Sequence, residues 1–405
     1  PNLEAYDYIR LATLQYREGL WSDCAQTLKQ CPGSDPTVKF LQTRLLFREG
    51  KISEATKIIQ TQVQSRDTSE VLYPDYFLIS TEDYDDENII SPYFCRDALS
   101  KQVLLPKFRS DYASLLLSQG KYEEALNLFL RTCSLADAVY IGECVLTLEE
   151  FQKLVDRDWP EFKREIKPEE ECLEKEMTII IRSALGRRLF RMGRWQESEV
   201  YFPEDLRPYI AQYRQWIQDA ENQKNSPKVR ADAYWRAALI MQRKGQSLMF
   251  CNFGIDWSGW SSPQEPPKLW WEVPGSLPRV RVQPVGDQPE SLIAPPSADE
   301  VKRVEAWMAK NLDHPTRSHR DANYEVVRLG MLAAELLPVD DEGGAKILQY
   351  CGNLIKYREP KAAQPVYRLL ATKFMGTSLG QRARKAHWFA PDRLEPNPDW
   401  VQKER

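Results

Sequence analysis

AYDYIRLATLQYREGLWSDCAQTLKQCPGSDP, residues 5–36, places apolar and small side chains at helical spacing on both sides of one glycine. Tyr8, Leu11, Ala12 and Gln15 fall three or four residues apart, as one face of a helix requires; Trp21, Cys24, Ala25 and Leu28 resume that spacing after Gly19. Asp35 and Pro36 close the unit. The pattern returns at Gly50, followed by Ile52, Ala55 and Ile59. It returns again where Tyr112, Ala113 and Leu116 precede Gly120, Tyr122, Ala125 and Phe129. A further copy sets Leu185, Gly186 and Leu189 before Gly193, Trp195 and Ser198, and another sets Ala231, Tyr234, Ala237, Ala238 and Met241 before Gly245. Each small residue has a steric purpose where two helices approach. A lone helical hairpin cannot bury its apolar side, so successive copies imply stacking on neighbours.

The small residue at Ala12, the turn glycine at Gly19, the aromatic at Trp21 and the terminal Asp35–Pro36 resemble the tetratricopeptide repeat, with Cys24 standing where that family has its helix-B alanine. The resemblance covers about residues 1–250 well and 299–386 loosely. It implies an all-α superhelical solenoid whose concave side, lined by the first helix of each pair, receives a peptide or partner protein. It names no partner. Long segments between copies, such as 71–108, 135–180 and 203–228, depart from a regular array and are expected to form degenerate or longer hairpins.

Within the first unit Tyr8, Leu11, Trp21 and Leu28 are expected in the core, where Leu11→Ala would cost roughly 2 to 5 kcal/mol. Recognition residues are expected on first helices, turned away from the hairpin partner: Arg10, Gln15 and Arg17 in the first unit, Arg44 and Arg48 in the second. Their plainer role is solvation.

After Met249 the helical pattern stops. Residues 251–298 combine Trp257, Trp260, Trp270 and Trp271 with nine prolines, which remove amide donors and oppose helix, so an irregular excursion is expected, with one short strand in RVRVQPV at 279–285. Four tryptophans would pin such a segment onto the helices; alternatively they line a peptide or ligand groove. Helical spacing resumes near Asp299 and predicts helices over 321–337, 342–356, 361–373 and 378–386, the last capped by Ser378. This block is similar to the end of uncharacterised repeat proteins of planctomycete and verrucomicrobial bacteria. The organisation expected is a hairpin array over 1–250, the excursion over 251–298, a helical block over 299–388, and a terminal cover or tail over 389–405, with Phe389, Pro391 and Trp400 lying across the last helix.

The chain has 55 Lys plus Arg against 59 Asp plus Glu, a formal charge of -4, which argues against a general nucleic-acid binder. Reading single-stranded RNA with helical repeats would need regular polar positions that the copies lack. No stretch approaches the roughly 18 to 20 apolar residues of a membrane-spanning helix. The chain starts at Pro1, which leaves open a removed initiator or leader, and both a cytoplasmic and an exported location. Its eight cysteines contain no C-x-x-C pair and read as small buried apolar residues, and its three histidines cannot build a histidine-rich metal centre.

No phosphate loop, H-E-x-x-H, G-x-S-x-G or strand-linked G-x-G-x-x-G is present. The densest polar cluster is DHPTRSHR at 313–320; its His314, Arg317, His319 and Arg320 could hold an anion or supply a general base, or simply form a polar turn. Lys356, Arg358, Lys361, Arg368, Lys373, Arg382, Arg384 and Lys385 bias the C-terminal block towards solvation or an acidic protein partner. The expected function is non-catalytic: a scaffold binding a protein or peptide, without cofactor or metal. The alternatives are an enzyme or small-ligand receptor with a pocket under 251–298 near 313–320, and a structural subunit of a larger assembly.

Overall fold

A computed structural model describes residues 4–64, 101–132, 134–163, 173–249, 281–282, 291–292, 295–312, 322–357 and 359–401. The described chain is all-α, with seventeen α-helices and one minimal antiparallel ladder that pairs Arg281–Val282 with Ser291–Leu292. The strand falls inside the stretch where the sequence places one. Two compact units share the chain: one takes Pro1–Thr147, Asp156–Thr178 and Lys268–Val304, the other Leu148–Val155, Ile179–Pro267 and Glu305–Arg405.

One connection recurs four times among the described residues. It joins α1 (Ala5–Arg17) to α2 (Trp21–Thr27), α3 (Pro36–Arg48) to α4 (Ile52–Gln64), α5 (Lys101–Ser118) to α6 (Tyr122–Leu130), and α9 (Leu173–Arg191) to α10 (Trp195–Ser198). Each time a glycine takes the left-handed conformation, with φ of 75° at Gly19, 72° at Gly50, 77° at Gly120 and 75° at Gly193. The amide after each glycine bonds the carbonyl five residues back: Leu20 to Gln15, Lys51 to Leu46, Lys121 to Leu116 and Arg194 to Leu189, at 2.8 to 3.1 Å. These bonds satisfy carbonyls that a helix end would otherwise orphan. Five residues beyond each glycine sits a small, fully buried side chain, namely Cys24, Ala55, Ala125 and Ser198. Seven residues before it sits another small buried residue, namely Ala12, Thr43, Ala113 and Gly186. Small side chains at both positions bring the paired helices together, and at Gly186 a Cβ would meet Phe202 at 2.8 Å.

In the first unit, stacking runs through α3, which touches α1 and α2 on one side and α4 and α5 on the other. Val38, Leu41 and Leu45 of α3 join Ile9, Ala12, Cys24 and Leu28 in one apolar cluster, whereas Phe47 joins Ala55, Ile59, Leu104 and Phe108 in the next. Asp35 opens α3 rather than merely closing the preceding unit: its carboxylate accepts the Thr37 amide at 2.8 Å and Pro36 takes the first helical position. The expected core of α1 is corrected. Leu28 is buried, Tyr8 and Trp21 are half-buried, and Leu11 is 38% exposed. The close approach of Ala12 to α2 turns Ile9 inward and leaves Leu11 and Leu14 outside. Beyond α6, α7 (Leu135–Tyr140) continues into a buried π-helical turn, Ile141–Val145. Tyr122 and Tyr140 then tie in the start of α13 (Ala298–Leu312), donating at 2.9 Å to Asp299 and Glu300. Helix α8 (Leu148–Asp158) follows the π-helical turn.

In the second unit, α11 (Arg207–Glu221) and α14 (Ala322–Leu336) both pack on α12 (Pro227–Met249), α14 packs on α15 (Glu342–Ile355), and α15 on α16 (Pro360–Lys373) and α17 (Ser378–Ala386). The fifth expected turn is absent: α12 runs unbroken through Gly245. That glycine serves close packing instead, since a Cβ there would collide with Cβ of Ala322 on α14. The four C-terminal helices fall where the periodicity puts them, but Thr377, not Ser378, caps α17, its hydroxyl accepting the Gly380 amide at 3.0 Å. After α17 the chain crosses α15 and α12. Gln349 and Asn353 of α15 each donate at 2.8 Å, to the carbonyls of Ala390 and Asp392. The Trp235 indole of α12 donates to the Asn397 carbonyl at 2.9 Å and its ring stacks on Trp400 with centroids 5.6 Å apart. Phe389 and Trp400 therefore cover α15 and α12 rather than the last helix alone.

Candidate functional site

The recognition residues expected on first helices separate into two groups. On α1, Arg10 and Arg17 are exposed, in a stripe with Tyr6 and Leu14 at spacings of three or four residues. Tyr6 and Leu14 are 51% and 54% exposed, and the Arg10 guanidinium lies over the Tyr6 ring at 5.2 Å. This face therefore offers apolar area flanked by cations. Gln15 is half-buried, with its side-chain oxygen enclosed and without a hydrogen-bond partner among the described residues.

Arg44 and Arg48 are built into the stack. Arg44 reaches from α3 to the Asp111 carboxylate of α5 at 2.8 Å and lies over Phe40, whose ring meets Phe108 edge-on. Arg48 lies over the Trp21 ring of α2 at 3.2 Å and hydrogen-bonds Tyr16 of α1. Two arginines on one helix thus bridge to the hairpins before and after it. Burial pushes the Asp111 carboxyl above its ordinary value, with Arg44 and Lys107 working against that shift. Burial likewise raises Tyr16, offset in part by Arg44 and Arg48. Sequence reasoning missed Asp111, Tyr16 and Phe40 as the partners. Their signal was a charge and two aromatics placed on first helices among residues that otherwise read as core.

Two open clefts accompany these surfaces. One, of about 290 Å³ in the first unit, is largely apolar, with Leu28, Leu45, Leu46 and Ile58 lining it and Lys29 at its edge. The other, of about 480 Å³ in the second unit, lies between α16 and α17, where Tyr367, Ala371 and Met375 meet Arg384 and His387. The sequence showed the basic bias of this block but not the cleft.

Trp257, Trp260, Trp270 and Trp271, and the cluster His314, Arg317, His319 and Arg320, lie outside the described residues. Among the described residues no three His, Cys, Asp or Glu side chains converge as metal ligands would, and no helix is long and apolar enough to cross a membrane. Cys24, Cys144 and Cys351 are buried free thiols. Burial pushes the Cys24 thiol up to about 11, with Cys31 adding to the shift, and raises that of Cys351 as well, so neither supplies a thiolate at neutral pH. No protein-family model matches the chain, and comparison with curated proteins and with solved structures yields no match.

Proposed function

We propose that the protein is a non-catalytic scaffold of tetratricopeptide-like, solenoid architecture that binds a protein or peptide through the surface of its stacked hairpins. The observation that carries this reading is the fourfold recurrence of one helix–glycine–helix connection, with the same left-handed φ, the same five-residue-back bond and the same buried small residues. Units built this way satisfy their packing with nearest neighbours, which leaves first-helix side chains as the variable surface. The Tyr6–Arg10–Leu14–Arg17 stripe is the part of that surface proposed to contact the partner, because tyrosine and arginine are enriched in interface hot spots and the exposed Leu14 adds apolar area beside them.

The test is affinity capture with the full chain beside an Arg10→Glu/Arg17→Glu variant, with partner contacts mapped by cross-linking. A stoichiometric partner cross-linked to α1 and lost on charge reversal, at an unchanged melting temperature, is the expected outcome. A partner retained by the variant, or cross-linked only elsewhere, counts against this face.

A further inference from the structure

From Pro360 to Pro391 the chain carries six cations and no aspartate or glutamate. Two of the six are used internally: Arg382 pairs with Asp392, and the Lys373 ammonium donates to the carbonyls of Ala334 and Glu335 at 3.2 and 2.7 Å. The other four, Lys361, Arg368, Arg384 and Lys385, are exposed, and none has a carboxylate within ion-pair distance among the described residues. Arg384 points a guanidinium nitrogen at the Met375 sulfur, 3.4 Å away, which is a weak acceptor and leaves its charge uncompensated. It does so at the wall of the 480 Å³ cleft.

Glu359 precedes α16 but forms no ion pair with Lys361 among the described residues, and the carboxylates beside the start of α17 are engaged with backbone. Asp340 and Glu342 accept the backbone amides of Gly376 and Ser378, at the turn into α17 and away from its last turn, where Arg384 and Lys385 lie. The carbonyls at the end of α17 oppose an anion only weakly and only within that turn.

We propose that the α16–α17 cleft is a docking site for an acidic, partly apolar peptide segment of a partner protein. The proposal rests on the scaffold reading and adds a partner class and a second location. Arg384 is placed to take a carboxylate with both guanidinium nitrogens, in exchange for a methionine sulfur. Met375, 50% exposed, and Ala371 offer the apolar floor for the neighbouring side chain. Along α16, Lys361, Arg368 and Thr372 share one exposed stripe, and the exposed Met375 follows just past its end. Lys361 and Arg368 are seven residues apart, about 10.5 Å of helix rise. An extended peptide advances about 3.3 Å per residue, so acidic residues three apart match that spacing. A single-stranded nucleic acid is disfavoured because Tyr367, the larger of the two cleft rings, already packs against Trp388 and Phe389 with centroids at 5.4 and 5.9 Å, which leaves only the His387 imidazole to stack a base.

The test is fluorescence anisotropy with the full chain and three labelled probes: a short peptide with aspartate at every third position between leucines and one phenylalanine, its asparagine isostere, and a short oligouridylate. The acidic peptide is expected to bind, to weaken as salt rises, and to lose roughly fivefold in affinity on Arg384→Gln and two- to threefold on Arg368→Gln, the range for single exposed charge pairs. Lys224→Gln, an exposed charge at the α11–α12 turn, should change nothing. Equal binding of the isostere, tighter binding of the oligouridylate, or indifference to Arg384→Gln overturns the proposal. If the acidic peptide fails while a captured partner still depends on Arg10 and Arg17, this site falls and the scaffold reading stands.

Discussion

Gly50 isolates the energetics of the recurring connection. A Cβ added there meets nothing within 4 Å, so Gly50→Ala introduces no clash and the whole native cost is the left-handed backbone at φ 72°. That conformation costs an L-residue about 1 to 2 kcal/mol. The substitution also restricts the unfolded chain, which returns about 0.4 to 1 kcal/mol. The expected net loss is therefore about 1 kcal/mol. Gly193 has the same φ class and equally open surroundings, while Cβ atoms at Gly19 and Gly120 would meet Trp21 at 3.6 Å and Tyr122 at 3.8 Å, ordinary contacts. All four Gly→Ala variants should thus lose the same amount, in either compact unit, and Gly→Asn should lose less because asparagine tolerates this region. One melting curve of a two-unit chain is not a two-state observable. Hydrogen exchange of peptides covering α3–α4 and α9–α10 reads each hairpin separately, and about 1 kcal/mol corresponds to roughly fivefold faster exchange. Losses that differ by more than about 1 kcal/mol between sites, or asparagine variants no better than alanine, would refute the claim that one turn is used four times.

Arg44→Met should cost about 2 to 3 kcal/mol, below the figure for a fully buried pair because the Arg44 and Asp111 side chains keep 19% and 10% exposure and Lys107 remains nearby. Removing Arg44 raises the folded-state pKa of Asp111 further, so the folded variant binds more protons than its unfolded chain between the ordinary value of 3.8 and the raised one. Its deficit should shrink as acidification passes through the raised value towards the ordinary one, and Arg44→Met/Asp111→Asn should recover part of it; a deficit independent of pH contradicts the buried pair. Ile9→Ala, at 6% exposure, should cost about 2 to 4 kcal/mol, whereas Leu11→Ala, at 38%, should cost under about 1 kcal/mol; equal losses by hydrogen exchange of peptides covering α1–α2 would mean that α1 is rotated. Gly330→Ala forces a Cβ into the Cys351 sulfur and should cost about 1 to 3 kcal/mol, with Cys351→Ala in the same chain restoring stability although it destabilises alone; simple additivity would show the two residues are not in contact.

Helical periodicity located most elements because it reports one property, the direction in which apolar side chains point. The four C-terminal helices were legible for that reason, and the breaks in that periodicity marked the hairpin turns at Gly19, Gly50, Gly120 and Gly193. What periodicity does not report is which part of a wide apolar arc faces inward. On α1 the arc includes Tyr8, Ile9, Leu11, Ala12 and Leu14, and the side taken depends on how closely Ala12 lets Cys24 approach. The binding surfaces were less legible still. Arg44 reads as an exposed first-helix cation until Asp111, 67 residues away, is brought against it. The cations of 361–385 read as solvation or as a surface for an acidic partner, with nothing in the sequence to place them until α16 and α17 fold into the two sides of a cleft.

Gly245 shows what the glycines alone could not say. A glycine in a helical pattern serves either a left-handed turn or a close helix approach, and Ala238 seven residues earlier fits the turn reading as well as Ala12, Thr43 or Ala113 does. The downstream residues separate the two. Each true turn has a bulky side chain two residues on, Trp21, Ile52, Tyr122 or Trp195, and a small one five residues on that must be buried against the first helix. Gly245 is followed at those positions by Ser247 and Phe250. A phenylalanine cannot occupy a place where Cys24, Ala55, Ala125 and Ser198 have no exposed surface, so a hairpin at Gly245 could not close, and the helix runs on to bring its glycine against Ala322 instead.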